Sequence, residues 1–387
     1  MKKLIVLATL ALAGSATAQT VPVTPANSAK LRQVGAEVLF WNQQQRFRNF
    51  PAMEKVFPGN VVKAGKKVRA LPKGVPLAIA EGDVEQAMTA TNMAGLIVVQ
   101  NGKVRLERYA FGYGPEGRWT SFSVAKSFTS TLVGAAIRDG YIKSIDDPVT
   151  KYIPDLAGGG YDGVTIRQVL TMTSGVKWNE DYFDPKSDVA RMFSEDAPAG
   201  QDPTVWFMRK LPRETAPGTT WVYKTGETNL IGVLVERATK KTLSAYLSEK
   251  IWKPWGMERD AFWMTDPAGN EVSGCCLSVS LRDYARMGML ALSGGKGVVP
   301  DGWFAQATTS QIPPTPEFQG GSGYGYQWWV LPGGRFAAIG IFGQSILVDP
   351  AKKLVIVTSS AWSKAVGPDL SKARGTLWAK LEAAADK

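Results

Sequence analysis

With 387 residues, 44% of them hydrophobic and 10% aromatic, the chain can bury a large core, in one big domain or two packed lobes. It contains no histidine, which excludes a Ser-His-Asp triad, a Cys-His pair and any zinc site built on imidazole. The formal charge of +11 comes from dispersed lysines and arginines, with Lys63 to Arg69 the notable cluster. Such a pattern reads as a solvated basic face, and nucleic acid is not an expected partner.

Met1-Lys2-Lys3, the apolar run Leu4 to Ala13 and Ala16-Thr17-Ala18 have the three-part form of a secretory signal peptide. The leader is expected to cover residues 1–18, with cleavage before Gln19. The apolar run is too short to span a bilayer, so the mature chain is expected in the periplasm without stable membrane insertion. Apolar spacing then predicts a helix over Ser28 to Phe50, followed by an irregular wrap from Pro51 to Pro76. Ala94 to Gln100 reads as a strand, Asn101-Gly102 as a two-residue hairpin turn, and Val104 to Phe111 as the returning strand.

The middle of the chain changes period. Helices are predicted over Ser127 to Asp139 (stopping at Gly140), Thr165 to Met172, Glu227 to Thr239, Leu243 to Ile251 and Leu281 to Leu292. Cys275 and Cys276 lie between the last two. A trans peptide holds neighbouring side chains apart, so they are expected to pack unbridged, and no disulfide framework is predicted. Strands return at Tyr324 to Leu331, Phe336 to Ile341, Ser345 to Asp349 and Leu354 to Thr358, and a helix over Lys372 to Ala384 closes the chain.

Strands, then helices, then strands suit an α/β fold of the α+β kind. In it, an antiparallel sheet built from both ends of the chain is flanked by helices, and a helical lobe is inserted. The sheet lobe would take about residues 60–120 and 270–387, the helical lobe about 121–269, with a site in the cleft between them.

Without histidine, a catalytic base must be Lys, Tyr, Asp or Glu. Ser-x-x-Lys occurs at Ser123/Lys126, Ser174/Lys177 and Ser293/Lys296. The last two are followed by glycine, where a helix has ended. Ser123 instead enters a predicted helix, which puts it on one face with Lys126. The helix N-terminus and desolvation both disfavour an ammonium there, which suits Lys126 to act as a neutral base for a Ser123 nucleophile. No carboxylate cluster at ligand spacing suggests a metal, and no cofactor is expected.

Ser123-Val-Ala-Lys126 has ordered companions: Asp146-Asp147-Pro148, Tyr152-Ile153-Pro154, Thr165-Ile-Arg-Gln-Val-Leu170 and Met172-Thr-Ser-Gly175. Together they resemble the serine β-lactamase, penicillin-binding protein and esterase superfamily over nearly the whole mature chain. The resemblance implies a β-lactamase/transpeptidase-like fold and a second-motif tyrosine at Tyr223, in Pro217-Gly-Thr-Thr-Trp-Val-Tyr223. Lys224-Thr225-Gly226 spells a third motif but stands in the wrong place. Gly340-Ile-Phe-Gly-Gln-Ser345 is the better match, without the basic residue of many relatives.

The resemblance further implies an oxyanion hole from the Ser123 and Gln344 N–H groups, and contacts to substrate from Ile341, Phe342 and Gly343. Trp178-Asn-Glu-Asp-Tyr182 and Gly226-Glu-Thr-Asn229 are most similar to the 6-aminohexanoate-dimer hydrolase branch, which places Tyr182 over the substrate. The expected activity is acyl-enzyme hydrolysis of a small-molecule amide or ester by Ser123, Lys126 and Tyr223. A D,D-peptidase or β-lactamase of the same fold, or a non-catalytic ligand-binding relative, are the alternatives.

Overall fold

The computed structural model describes residues 21–313, 315, 318 and 321–387. The expected leader, 1–18, lies outside the described residues. A seven-stranded antiparallel sheet runs in the order Lys103–Tyr109, Met93–Gln100, Leu354–Ser360, Gln344–Asp349, Phe336–Gly340, Trp329–Val330 and Gly323–Tyr324. Both ends of the chain supply it, and the Asn101-Gly102 turn takes positive φ at both residues, as a tight hairpin requires.

Alternation along these strands loads two faces. Ile97, Val99, Ile346, Val348, Val355 and Val357 join the large core, against the helix Leu281–Leu292. That helix comes so close that a Cβ on Gly288 would lie 2.5 Å from Val355 Cγ1. Leu96, Val98, Leu347 and Ile356 form a second core on the other face, with Val84 and Met88 of the helix Glu81–Ala90 and Leu377 and Leu381 of the helix Pro368–Ala385. In sequence, between the strands supplied by the two ends of the chain, come the helices Ala125–Arg138 and Thr225–Thr239, both nearly all buried.

The predicted long helix over Ser28 to Phe50 is broken. Asn42 opens a new helix, Gln43–Asn49, its side chain accepting from Gln45 N at 2.9 Å while Gln45 accepts from Asn42 N at 2.8 Å. This reciprocal cap ends the preceding turn, and periodicity alone does not register it. The expected strand Tyr324 to Leu331 is likewise two short strands paired with each other, with Gln327 at φ +60 in the turn between them.

A second, four-stranded sheet, in the order Gly59–Val62, Ala261–Met264, Leu277–Val279 and Trp119–Thr120, was not foreseen. Strands this short carry too little alternation to be read from sequence. Among the described residues no helix is long and apolar enough to cross a membrane.

Candidate active site

Phe122, at φ +43, turns the chain out of the Trp119–Thr120 strand and delivers Ser123 into a short 3-10 turn ahead of the helix Ala125–Arg138. Ser123 and Lys126 therefore share a face, and Lys126 Nζ lies 3.1 Å from Ser123 Oγ. The lysine is buried and also donates to Thr225 Oγ1 at 3.0 Å and to the Gly274 carbonyl at 2.7 Å. Burial pushes its pKa down to about 8, against the opposing pull of the Glu180 charge.

Three acceptors match the three donors of an ammonium. When the amine is neutral, one contact must reverse. The Gly274 carbonyl has no proton to give, and the Thr225 hydroxyl already donates to Glu180 Oε1. Ser123 is the contact left to donate.

Glu180 sets this arrangement. It accepts from the Thr225 backbone N–H at 2.9 Å, from the Tyr182 hydroxyl at 2.9 Å and from Trp178 Nε1. Neither Glu180, Thr225 nor Gly274 was picked out from sequence. Glu180 stands in the quoted Trp178-to-Tyr182 stretch, and Thr225 is the middle residue of the misplaced Lys-Thr-Gly. That triplet opens the helix Thr225–Thr239, and Lys224 is buried away from the site, its Nζ 3.9 Å from Glu227.

Tyr223 lies with its ring 5.2 Å from Lys126 Nζ, stacked on Trp329 at 5.6 Å. Burial and then the Glu180 charge push its phenol far up, while an interaction with Ser123 pulls it down. It stays a protonated phenol at neutral pH.

Two cavities meet at Ser123. The larger, about 590 Å³, is lined by Ser123, Asp181, Tyr223, Trp329, Ile341 and Arg374, among others. The smaller, about 50 Å³, is lined by Ser123, Val38, Val189, Phe193, Cys275 and Ile341, among others, and none of its lining side chains is charged. Tyr182 and Ile341 border both.

Three residues of the late segment sit elsewhere than expected. Phe342 is wholly buried, its ring 5.1 Å from Phe122 and 5.4 Å from Phe50. Gly343 backs onto Trp362, where a Cβ would lie 2.2 Å from Nε1. Gln344 clamps the turn from inside, donating to Ser360 O at 2.6 Å and Phe342 O at 3.1 Å and accepting from Ser360 N at 3.0 Å. A 3-10 turn over Ile341–Gly343 causes these displacements by rolling the chain inward after Ile341. Gly340 packs on the Ser123 backbone, where a Cβ would lie 3.1 Å from Ser123 N.

The other two Ser-x-x-Lys serines bond elsewhere: Ser174 to the buried Glu227, and Ser293 to the Leu290 carbonyl at 2.7 Å.

The cysteines also differ from expectation. Cys275 and Cys276 are bonded to each other, with Cα atoms 3.7 Å apart. Cys276 adopts φ +69, which swings its side chain back over its neighbour, a geometry that an extended dipeptide does not offer.

A serine–lysine pair at a helix start, in a cleft between an antiparallel sheet and helices, is the arrangement of a class of serine hydrolases. The profile described as Beta-lactamase matches residues 80–377, and the chain belongs to this β-lactamase-fold family of serine hydrolases. It is 35% identical over 301 residues to the 6-aminohexanoate-dimer hydrolase of Paenarthrobacter ureafaciens, covering 72% of this chain and 75% of that one. A Bacillus anthracis structure provisionally assigned as a 6-aminohexanoate-dimer hydrolase superposes with a TM-score of 0.75 at 22% identity, over 87% of this chain and 93% of the other. A class C β-lactamase superposes with a TM-score of 0.56 at 17% identity, over 78% and 94%.

Proposed function

We propose that the protein is an exported, periplasmic hydrolase of small amides or esters, similar in chemistry to its 6-aminohexanoate-dimer hydrolase relative, and that it works through an acyl-enzyme on Ser123. The observation that carries this reading is the exhaustion of partners around Lys126. With Thr225 turned toward Glu180 and Gly274 able only to accept, a neutral Lys126 takes its proton from Ser123.

Ser123 Oγ then attacks the carbonyl carbon as its proton passes to Lys126 Nζ. The developing oxyanion would be met by the N–H of Ser123 and by that of Ile341. Ile341 borders both cavities and follows the glycine that packs on Ser123 N, and it replaces Gln344 in this role. The Tyr223 hydroxyl relays a proton to the leaving nitrogen or oxygen, the bond from the carbonyl carbon breaks, and water releases the acyl group by the reverse path.

Tyr223 lines the larger cavity and not the smaller. The leaving group therefore takes the larger space, with Arg374 and Asp181 at its walls, and the acyl group the small apolar one. Tyr182, bonded to Glu180, covers the junction.

Replacing Ser123 by Ala should abolish both fluorophosphonate labelling and hydrolysis of p-nitrophenyl acetate. Undiminished hydrolysis by Ser123→Ala would falsify the assignment.

A further inference from the structure

We propose that the Cys275–Cys276 disulfide is a positioning element of this site, and that its reduction by an external dithiol slows acylation. The inference rests on the reading of Ser123 and Lys126 given above. Its starting point is where the bridge lies: Cys275 and Cys276 share the wall of the small cavity with Ser123.

The segment carrying the bridge touches the nucleophile's surroundings on both sides. Upstream, the Ser273 carbonyl accepts from Thr129 Oγ1 at 2.9 Å, Gly274 N donates to Asn229 Oδ1 at 2.6 Å, and the Gly274 carbonyl holds Lys126 Nζ at 2.7 Å. Downstream, the Cys276 carbonyl accepts from Met264 N at 3.1 Å, and Leu277 N donates to Ser121 Oγ at 3.0 Å. The cysteine pair thus spans the gap between the contact that orients the base and the contact that seats the turn before Ser123.

Cys276 sits in the left-handed region, which a non-glycine residue visits at a cost, and the bridge holds it there together with these anchors, the Cys275 N–H to the Val272 carbonyl at 3.3 Å and the pairing of Leu277 with Trp263. The bridge closes a small ring of the two side chains and the peptide between them. Opening that ring frees Cys276 to return to negative φ. Such a turn rotates the neighbouring peptides, draws the Gly274 carbonyl off Lys126 and lets water in beside the amine.

The chemistry balances with a dithiol as the reductant. A dithiol thiolate attacks one sulfur and the Cys275–Cys276 bond breaks. The second dithiol sulfur then closes the reagent's own disulfide. Two electrons and two protons end on the cysteines, which become two thiols. Cys275 is partly exposed on the cavity wall, so the attacking thiolate reaches it through the space that the acyl group uses.

The groups facing Lys126 are Ser123, Thr225, Glu180 and Tyr223. None of them is altered by the reductant, and the chain has no other cysteine. Any response to a dithiol therefore reports on this bridge.

The experiment compares the full chain before dithiothreitol, after it, and after reoxidation with diamide. Intact mass and the pH profile of p-nitrophenyl acetate hydrolysis are read in each state. The expected result is a gain of two hydrogens on reduction and a fall in kcat/KM of about tenfold. The midpoint of the pH profile should also move up toward the ordinary lysine range, and all three changes should reverse on reoxidation. The Cys275→Ser/Cys276→Ser double variant should match the reduced enzyme and ignore dithiothreitol. If it does not fold, the reversible wild-type comparison decides alone.

An unchanged mass, unchanged kcat/KM, or a fall in kcat/KM without a moved midpoint overturns the proposal, as does a double variant that still responds to the reductant. Loss of all esterase activity in the oxidised enzyme, or its survival in Ser123→Ala, would instead overturn the reading of the nucleophile.

Discussion

In the proposed mechanism the pKa of Lys126 decides when Ser123 can act. Burial lowers it to about 8 and the Glu180 charge opposes that fall, so below this value the amine is protonated and cannot take the serine proton. Above it the amine is free. kcat/KM for an activated ester should therefore rise with pH and level off, with a midpoint near 8, in a profile from about pH 6 to about pH 10. Replacing Glu180 by Gln removes the charge that favours the ammonium, so the midpoint should move to lower pH. It also weakens the acceptor that turns the Thr225 hydroxyl away from Lys126, and kcat should fall by about tenfold or more. A midpoint that stays in place would show that Glu180 does not act on the lysine. The Ser123–Lys126 contact was legible because its spacing keeps it local, and Tyr223 was singled out only by a motif. Glu180, Thr225 and Gly274 were not legible, because they complete the site from segments far along the chain, and only packing brings a carboxylate, a hydroxyl and a carbonyl to one buried amine.

At the scale of elements, the turn after the Phe336–Gly340 strand and the wall of the small cavity shape the site. A Cβ on Gly340 would lie 2.7 Å from Ser121 O and 3.1 Å from Ser123 N, both backbone atoms that cannot swing aside. Gly340→Ala should push the strand off the nucleophile and cut kcat/KM by about a hundredfold, while KM changes far less. Stopped-flow acylation rates against steady-state KM separate the two. The small cavity makes a different demand. With no charge on its lining side chains, it can strip water from an acyl chain but cannot replace that water around an ammonium. Heptanoyl and 6-aminohexanoyl p-nitrophenyl esters, matched in length, should differ by tenfold or more in kcat/KM in favour of the uncharged chain. Equal rates would mean that the acyl end reaches beyond this cavity. The positions of the principal strands and helices were readable from period. The gap between the two strands there was readable, but the 3-10 turn that rolls Phe342, Gly343 and Gln344 into the core was not, since the left-handed φ of Phe342 leaves no mark in composition.

Across the whole molecule, the seven-stranded sheet is the wall between two cores; Ser123 and Lys126 lie on the side of one of them, while Ser371 and Arg374, on the helix Pro368–Ala385 that closes the other, reach the larger cavity. Ser123, Lys126 and the helices behind them pack into the core that also buries Phe128, Leu132 and Tyr284. The opposite face is closed by Leu377, Trp378 and Leu381 on the helix Pro368–Ala385, packed with Leu96, Val98 and Ile356. The strand–helix–strand order carried that sheet in outline, because near-continuous apolar runs mark strands of five to eight residues. It could not show the four-stranded sheet, whose strands meet from distant parts of the chain. The division into two cores has a measurable consequence. Leu381 is fully buried, so Leu381→Ala leaves a void under the sheet and should cost about 2–5 kcal/mol of stability in urea unfolding. The sheet itself stands between that void and Ser123, so kcat/KM and its pH midpoint should stay within about twofold of the parent while the protein remains folded. If activity falls in step with stability instead, the sheet transmits the displacement, and the outer helix is part of what holds Gly340 against the nucleophile.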